Sequence, residues 1–147
     1  MELIVSLVQT AASYMVPFLV LTLVIVFVHE MGHFLTARYY GVTVEAFSIG
    51  FGKELMAWHD RHGTRWRIAV FPLGGYVKFA GDADPSSRPD PEAVVPPDVN
   101  TLTMQPLSAR AAIVAAGPFA NLLLSALILA CLAFFSGSQH VLPVVDE

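Results

Sequence analysis

Cysteine is almost absent: Cys131 stands alone in a long apolar run. One thiol leaves no material for a disulfide framework or a cysteine-rich zinc site, and it reads as a small buried hydrophobe. Basic side chains are missing from both ends, since all eight Lys and Arg lie between Arg38 and Arg110. Met1 to Thr10 holds Glu2 and nothing basic, whereas a cleaved secretory leader needs a basic start and a small-residue cleavage site. The first apolar run is therefore read as a retained helix. Charge is scarce throughout: 14% of residues are charged and 55% hydrophobic, with a mean hydropathy of +0.61 and a net charge of −4. That balance argues against an ordinary soluble domain, and no nucleic-acid partner is expected.

Two stretches are long and apolar enough to cross about 30 Å of hydrocarbon, which takes roughly 20 helical residues. One runs from Val16 to about Thr36, the other from Ala111 to about Phe135. The expected fold is an α-helical membrane protein: two transmembrane helices with a small membrane-associated β-hairpin region in the connecting loop. A loop holding every basic residue should stay cytoplasmic, leaving both termini extracytoplasmic. The divisions expected are an N-terminal tail at 1–15, a first membrane helix at 16–40, a strand region at 41–81, a linker at 82–106, a second membrane helix at 107–136 and a start of an extracytoplasmic region at 137–147.

Between the helices the period changes. Phe47–Phe51, Arg65–Phe71 and Tyr76–Phe79 are short, aromatic and β-branched, and are predicted as strands separated by turn glycines. Gly74-Gly75 is a candidate two-residue hairpin turn, and Pro72, which cannot donate a ladder hydrogen bond, favours an edge position. Residues 82–100, rich in Pro and Asp, read as a solvated linker. Gly41 is predicted to end the first helix, Ser108 to cap the second, and Gly117-Pro118 to kink or thin it.

The chemistry resides in His29-Glu-Met-Gly-His33, which follows the apolar run without a breaker. At i and i+4 on one helical face, His29 and His33 can turn their imidazoles to one metal ion while Glu30 sits beside it. At 1.5 Å per residue His29 lies roughly 18 Å from Pro17 and roughly 13 Å from Arg38, inside a bilayer and nearer its cytoplasmic side. Zinc takes three protein ligands and an open position, and a neighbouring carboxylate serves as base for the attacking water. Glu30 fits that base. A structural reading, a polar cluster gluing helices together, competes with this, but ionisable groups within a membrane span are costly and want a reason. His59 and His62 have a short metal-like spacing and are read as solvated loop residues. Asn121, polar within the second span, either glues helices or orients a site. The third zinc ligand is open: Glu45, Asp82 and Asp84 are the loop candidates, and no Asp, Glu or His occurs in the second span.

These motifs together resemble the bacterial site-2 protease family of intramembrane zinc metalloproteases. The likeness is carried by His29 to Arg38, Phe47-Ser-Ile-Gly-Phe-Gly52, Pro72-Leu-Gly-Gly-Tyr-Val-Lys78 and Ala116-Gly-Pro-Phe-Ala-Asn121, in that order. It implies that His29 and His33 bind Zn2+, that Glu30 activates water, and that Pro72 to Phe79 dips toward the membrane as a re-entrant hairpin. On that basis Pro72, Leu73, Gly74, Gly75, Tyr76, Val77 and Lys78 would bind substrate, an unwound single-pass membrane protein such as an anti-sigma factor. The expected location is the bacterial inner membrane. In the family a zinc-binding Asp comes from a later helix, beyond an extracytoplasmic PDZ region that Pro143-Val-Val145 resembles the start of. The chain is therefore expected to be an N-terminal portion. Two rival functions are a non-catalytic module that captures peptides on the hairpin edge, and metal transport, for which two spans offer no polar path.

Overall fold

The structure, a computed structural model, describes residues 1–83, 96 and 99–136. Helix α1 spans Glu2–Tyr39, strand β1 Val44–His59, strand β2 Arg65–Phe79, a single 3-10 turn Leu102–Met104, and helix α2 Leu107–Ser136. Both long helices are apolar enough to cross a membrane, and at 1.5 Å per residue they measure about 57 Å and about 45 Å.

Helix α1 starts well ahead of the expected Val16. Its polar residues do not interrupt it because their hydroxyls turn inward: Ser13 Oγ donates to the Gln9 carbonyl at 2.8 Å and Thr22 Oγ1 to that of Phe18 at 2.8 Å. Its other end matches expectation. Gly41 takes a left-handed φ of 75°, its amide donates to the Arg38 carbonyl at 3.0 Å, and the Val42 amide reaches the Ala37 carbonyl at 2.9 Å. This pair of bonds is a Schellman ending, closed by burial of Val42 against Ala37.

The strand region departs from the three short strands predicted. Two long strands bend, and their register builds four rungs. Residues 44–51 run antiparallel to 71–79, from Val44 opposite Phe79 to Phe51 opposite Phe71. On their other side Ala46, Phe47, Ser48 and Ile49 lie beside Arg65, Trp66, Arg67 and Ile68, with the numbers ascending together. The far half of β1 then folds back on 65–69, with His59 opposite Arg65. Gly50 makes the bend possible, since a Cβ there would lie 2.8 Å from the Phe71 carbonyl oxygen and 3.0 Å from that of Ala69. Gly74-Gly75 is therefore no turn. Both residues lie inside β2, and neither takes left-handed backbone. The hairpin turns at Asp60–Thr64, where the Asp60 amide donates to the Thr64 carbonyl and the Gly63 amide to that of Asp60. His59 is consequently the last residue of a strand, while His62 lies in the turn.

The sheet is pinned under the last turns of α1 by aromatic packing. Phe34, Phe47 and Trp66 form a triangle with ring centroids 4.5–5.4 Å apart, and Ala37, Val44, Val77, Phe79 and Ile113 complete the core. A polar hub fastens the same corner. Asp60 accepts hydrogen bonds from Arg38, from Trp66 Nε1 at 3.1 Å and from the amides of His62 and Thr64 at 2.8 and 3.1 Å. Burial works against its ionisation, but these donors outweigh it and hold the carboxyl down at about 2.

Of the expected linker, the end is tied to the sheet: Thr101 is buried and the Asn100 carbonyl accepts from the Thr43 amide at 2.9 Å. Helix α2 begins at Leu107, so Ser108 is within its first turn and does not precede it. The helix runs unbroken through Pro118.

Candidate metal centre

Helices α1 and α2 meet antiparallel, and glycine sets how closely. A Cβ on Gly32 would run into the Ala116 carbonyl and lie 3.0 Å from the Ala120 Cβ. Small residues four apart on α2 thus admit the α1 backbone, the packing that membrane helices favour. His33, next to Gly32 in the chain, and His29, three residues before it, also face α2.

His33 Nδ1 lies 2.7 Å from the Ile113 carbonyl oxygen. A carbonyl only accepts, so Nδ1 carries the proton and Nε2 keeps its lone pair. His29 Nδ1 lies 3.2 Å from the Asn121 side-chain amide. The rings stand edge to face with centroids 4.8 Å apart. Their Nε2 atoms converge at Gly117, where a Cβ would clash with His33 Nε2 and lie 2.8 Å from His29 Nε2. Gly117, expected with Pro118 to kink or thin the helix, is what leaves room for the two nitrogens. A residue without a side chain facing two imidazoles is a signal readable only once the helices are paired.

Glu30 stands on the neighbouring face, half-buried, against the sheet. A Cβ on Gly75 would lie 3.2 Å from Glu30 Cγ and 3.0 Å from Val26 Cγ1. The 71–79 rung, whose register partners all lie on its β1 side, therefore runs past Glu30 with its other edge unpaired in that register. Of the proposed substrate segment, Pro72, Leu73, Gly74, Gly75, Tyr76, Val77 and Lys78 all belong to this outer rung. Leu73 is 61% exposed, and Val77 is turned into the core. Beside the site, between the helices, lies a cavity of about 380 Å³ lined by Leu21, Val24, Ile25, Leu124, Ile128 and Asn121.

The donor set suits zinc: two imidazoles at i and i+4, one with its outer nitrogen fixed by a carbonyl, and a carboxylate alongside. Among the described residues no third His, Cys, Asp or Glu joins them. Glu45 is engaged elsewhere, its carboxylate 2.8 Å from Lys78 Nζ, a hydrogen bond that raises the Lys78 pKa. Asp82 is buried beyond the end of β2 and is not grouped with the histidines. Asp84 lies outside the described residues.

Residues 17–146 match Peptidase family M50, so the chain belongs to that family, the site-2 proteases its motifs resemble. Among curated proteins it is 49% identical over 145 residues to one of Rhizobium meliloti strain 1021 named "Putative zinc metalloprotease R01501", covering 95% of this chain and 39% of that protein. It is 47% identical over 139 residues to a similarly named protein of Agrobacterium fabrum, covering 92% and 37%. Metalloprotease MmpA of Caulobacter vibrioides is 38% identical over 141 residues, covering 84% and 34%. The chain thus spans less than two fifths of the length of these relatives.

Proposed function

We propose that this chain carries the catalytic helix and substrate-binding edge of an intramembrane zinc endopeptidase. Its substrate would be a single-pass membrane protein, anti-sigma-factor-like, cleaved within the bacterial inner membrane with the sheet on the cytoplasmic side. The observation that carries this is the placement of Glu30 between two features. On one side are the converging Nε2 atoms of His29 and His33, on the other the open edge of β2 at Gly75. Family membership and the names of the relatives support it.

His29 and His33 would hold zinc through Nε2, with a third protein ligand still to join them. When bound, the ion supplies a Lewis acid that polarises the scissile carbonyl and acidifies water. Everything else falls to the chain itself. A helical substrate has its peptide groups internally bonded, so it must unwind before attack, and unwound backbone in an apolar setting needs partners. The outer rung of β2 supplies them by pairing main chain to main chain, which holds the scissile bond extended beside Glu30. Glu30 takes a proton from the attacking water and returns it to the departing amide nitrogen.

Glu30→Gln in the full-length protein tests the assignment. Reconstituted with a single-pass substrate, the variant should retain bound zinc and its fold while losing cleavage. Cleavage at an undiminished rate would remove Glu30 from the mechanism.

A further inference from the structure

We infer that Asn121 is the positioning residue for His29, with its side-chain amide turned so that the oxygen faces the imidazole. As placed, the amide nitrogen lies 3.2 Å from His29 Nδ1, and the amide oxygen is buried without a hydrogen-bond partner. A nitrogen donating to Nδ1 makes Nδ1 the acceptor and sends the ring proton to Nε2. Nε2 is the atom that converges with His33 Nε2 at Gly117. A proton there would close one of the two lone pairs the site assembles.

Carboxamide oxygen and nitrogen are nearly isosteric, and exchanging them moves no other atom. One buried amide group lacks a partner in either orientation, so the histidine decides. With Oδ1 inward, His29 Nδ1–H donates to Asn121 as His33 Nδ1–H donates to the Ile113 carbonyl. Both rings then share one tautomer, and both Nε2 lone pairs open toward the same point. Helix α2 would thus set the two rings by different means: a main-chain carbonyl for His33, and a side chain two turns further along for His29. This rests on the proposed metal role only through the use given to Nε2.

The test is the tautomer of His29 in the 147-residue chain, read from ¹⁵N-histidine NMR in micelles at about pH 8, where imidazoles are neutral. The His29→Ala sample assigns the signal. Wild type should show the proton on Nδ1. Asn121→Leu should lose that preference, and Asn121→Asp, which keeps an acceptor, should restore it. Zinc titrated against a chromophoric chelator should bind at least about tenfold more weakly to Asn121→Leu than to wild type, and Asn121→Asp should recover the loss. A proton on Nε2 in wild type, or a tautomer indifferent to Asn121→Leu, overturns the inference. An Nδ1 proton in a wild-type chain that binds no zinc would leave the inference standing and count against the metal reading alone.

Discussion

The imidazole of His33 reaches across the helix pair to the main-chain carbonyl of Ile113, 2.7 Å away and 80 residues further along the chain. The bond fixes a ring on α1 by a backbone atom of α2, so the state of that ring depends on how closely the helices approach.

Gly117→Ala should break the site without removing any of its ligands. The added methyl would press on both imidazoles, 2.8 Å from His29 Nε2, and relieving it means separating the helices or turning the rings. Overpacking of this kind costs about 1–3 kcal/mol. The expected result is a lower unfolding temperature together with zinc binding weakened well beyond the loss of stability, measured by chelator competition.

Gly32→Val should act on the helix pair itself. The side chain would meet the Ala116 backbone and the Ala120 Cβ, so the helices cannot keep their contact. A disulfide reporter pairing one cysteine on each helix should crosslink readily in the otherwise unchanged protein and poorly in the variant.

Gly75→Val separates substrate holding from metal binding. The Cβ would lie 2.7 Å from the Ser48 carbonyl oxygen, so the outer rung must shift away from β1 and from Glu30. In the full-length protein, cleavage should fall at least about tenfold, a shift of about 1.4 kcal/mol in the barrier, with zinc content unchanged. Loss of zinc in parallel would mean that the rung supports the site and does not hold substrate.

Acid should release the sheet from the helix. The Asp60 carboxyl sits at about 2 in the folded chain, below its ordinary value near 4. A depressed carboxylate contributes stability that is fully present above its unfolded pKa and is lost as pH falls through the folded one, here from about pH 4 down to about 2. Emission from Trp66, which donates to Asp60, and from Trp58, which stacks on Trp66, should report this transition. Asp60→Asn should lack it and show the released spectrum at neutral pH.

The histidine pair and its helix were legible in the sequence because i, i+4 spacing is a local property. The Gly41 stop was legible for the same reason. The sheet was only partly so. Pro72 rightly marked an outer rung, since a residue without an amide proton is tolerated there. Gly74-Gly75 misled because glycine pairs serve close approach as well as turning, and here Gly75 lies where Val26, Glu30 and Ser48 leave no room for a side chain. The true turn carries its own sign, Asp60 followed three residues later by Gly63. Gly32 and Gly117 matter only through residues more than 80 positions away, and no local pattern announces such contacts.

Helix α1 is about 57 Å long, nearly twice the depth of a hydrocarbon core. Its carboxyl-terminal end is fixed by the Schellman ending and the Arg38–Asp60 pair, and the Tyr39 and Tyr40 rings lie side by side there. In the proposed orientation that end sits at the cytoplasmic interface, where tyrosines settle. A thicker or thinner bilayer would then be accommodated toward Glu2, by more or less of the helix entering the lipid. The depth of His29 and Glu30 is measured from the cytoplasmic face, and so the position at which a substrate is cut should keep its distance from that face when membrane thickness changes.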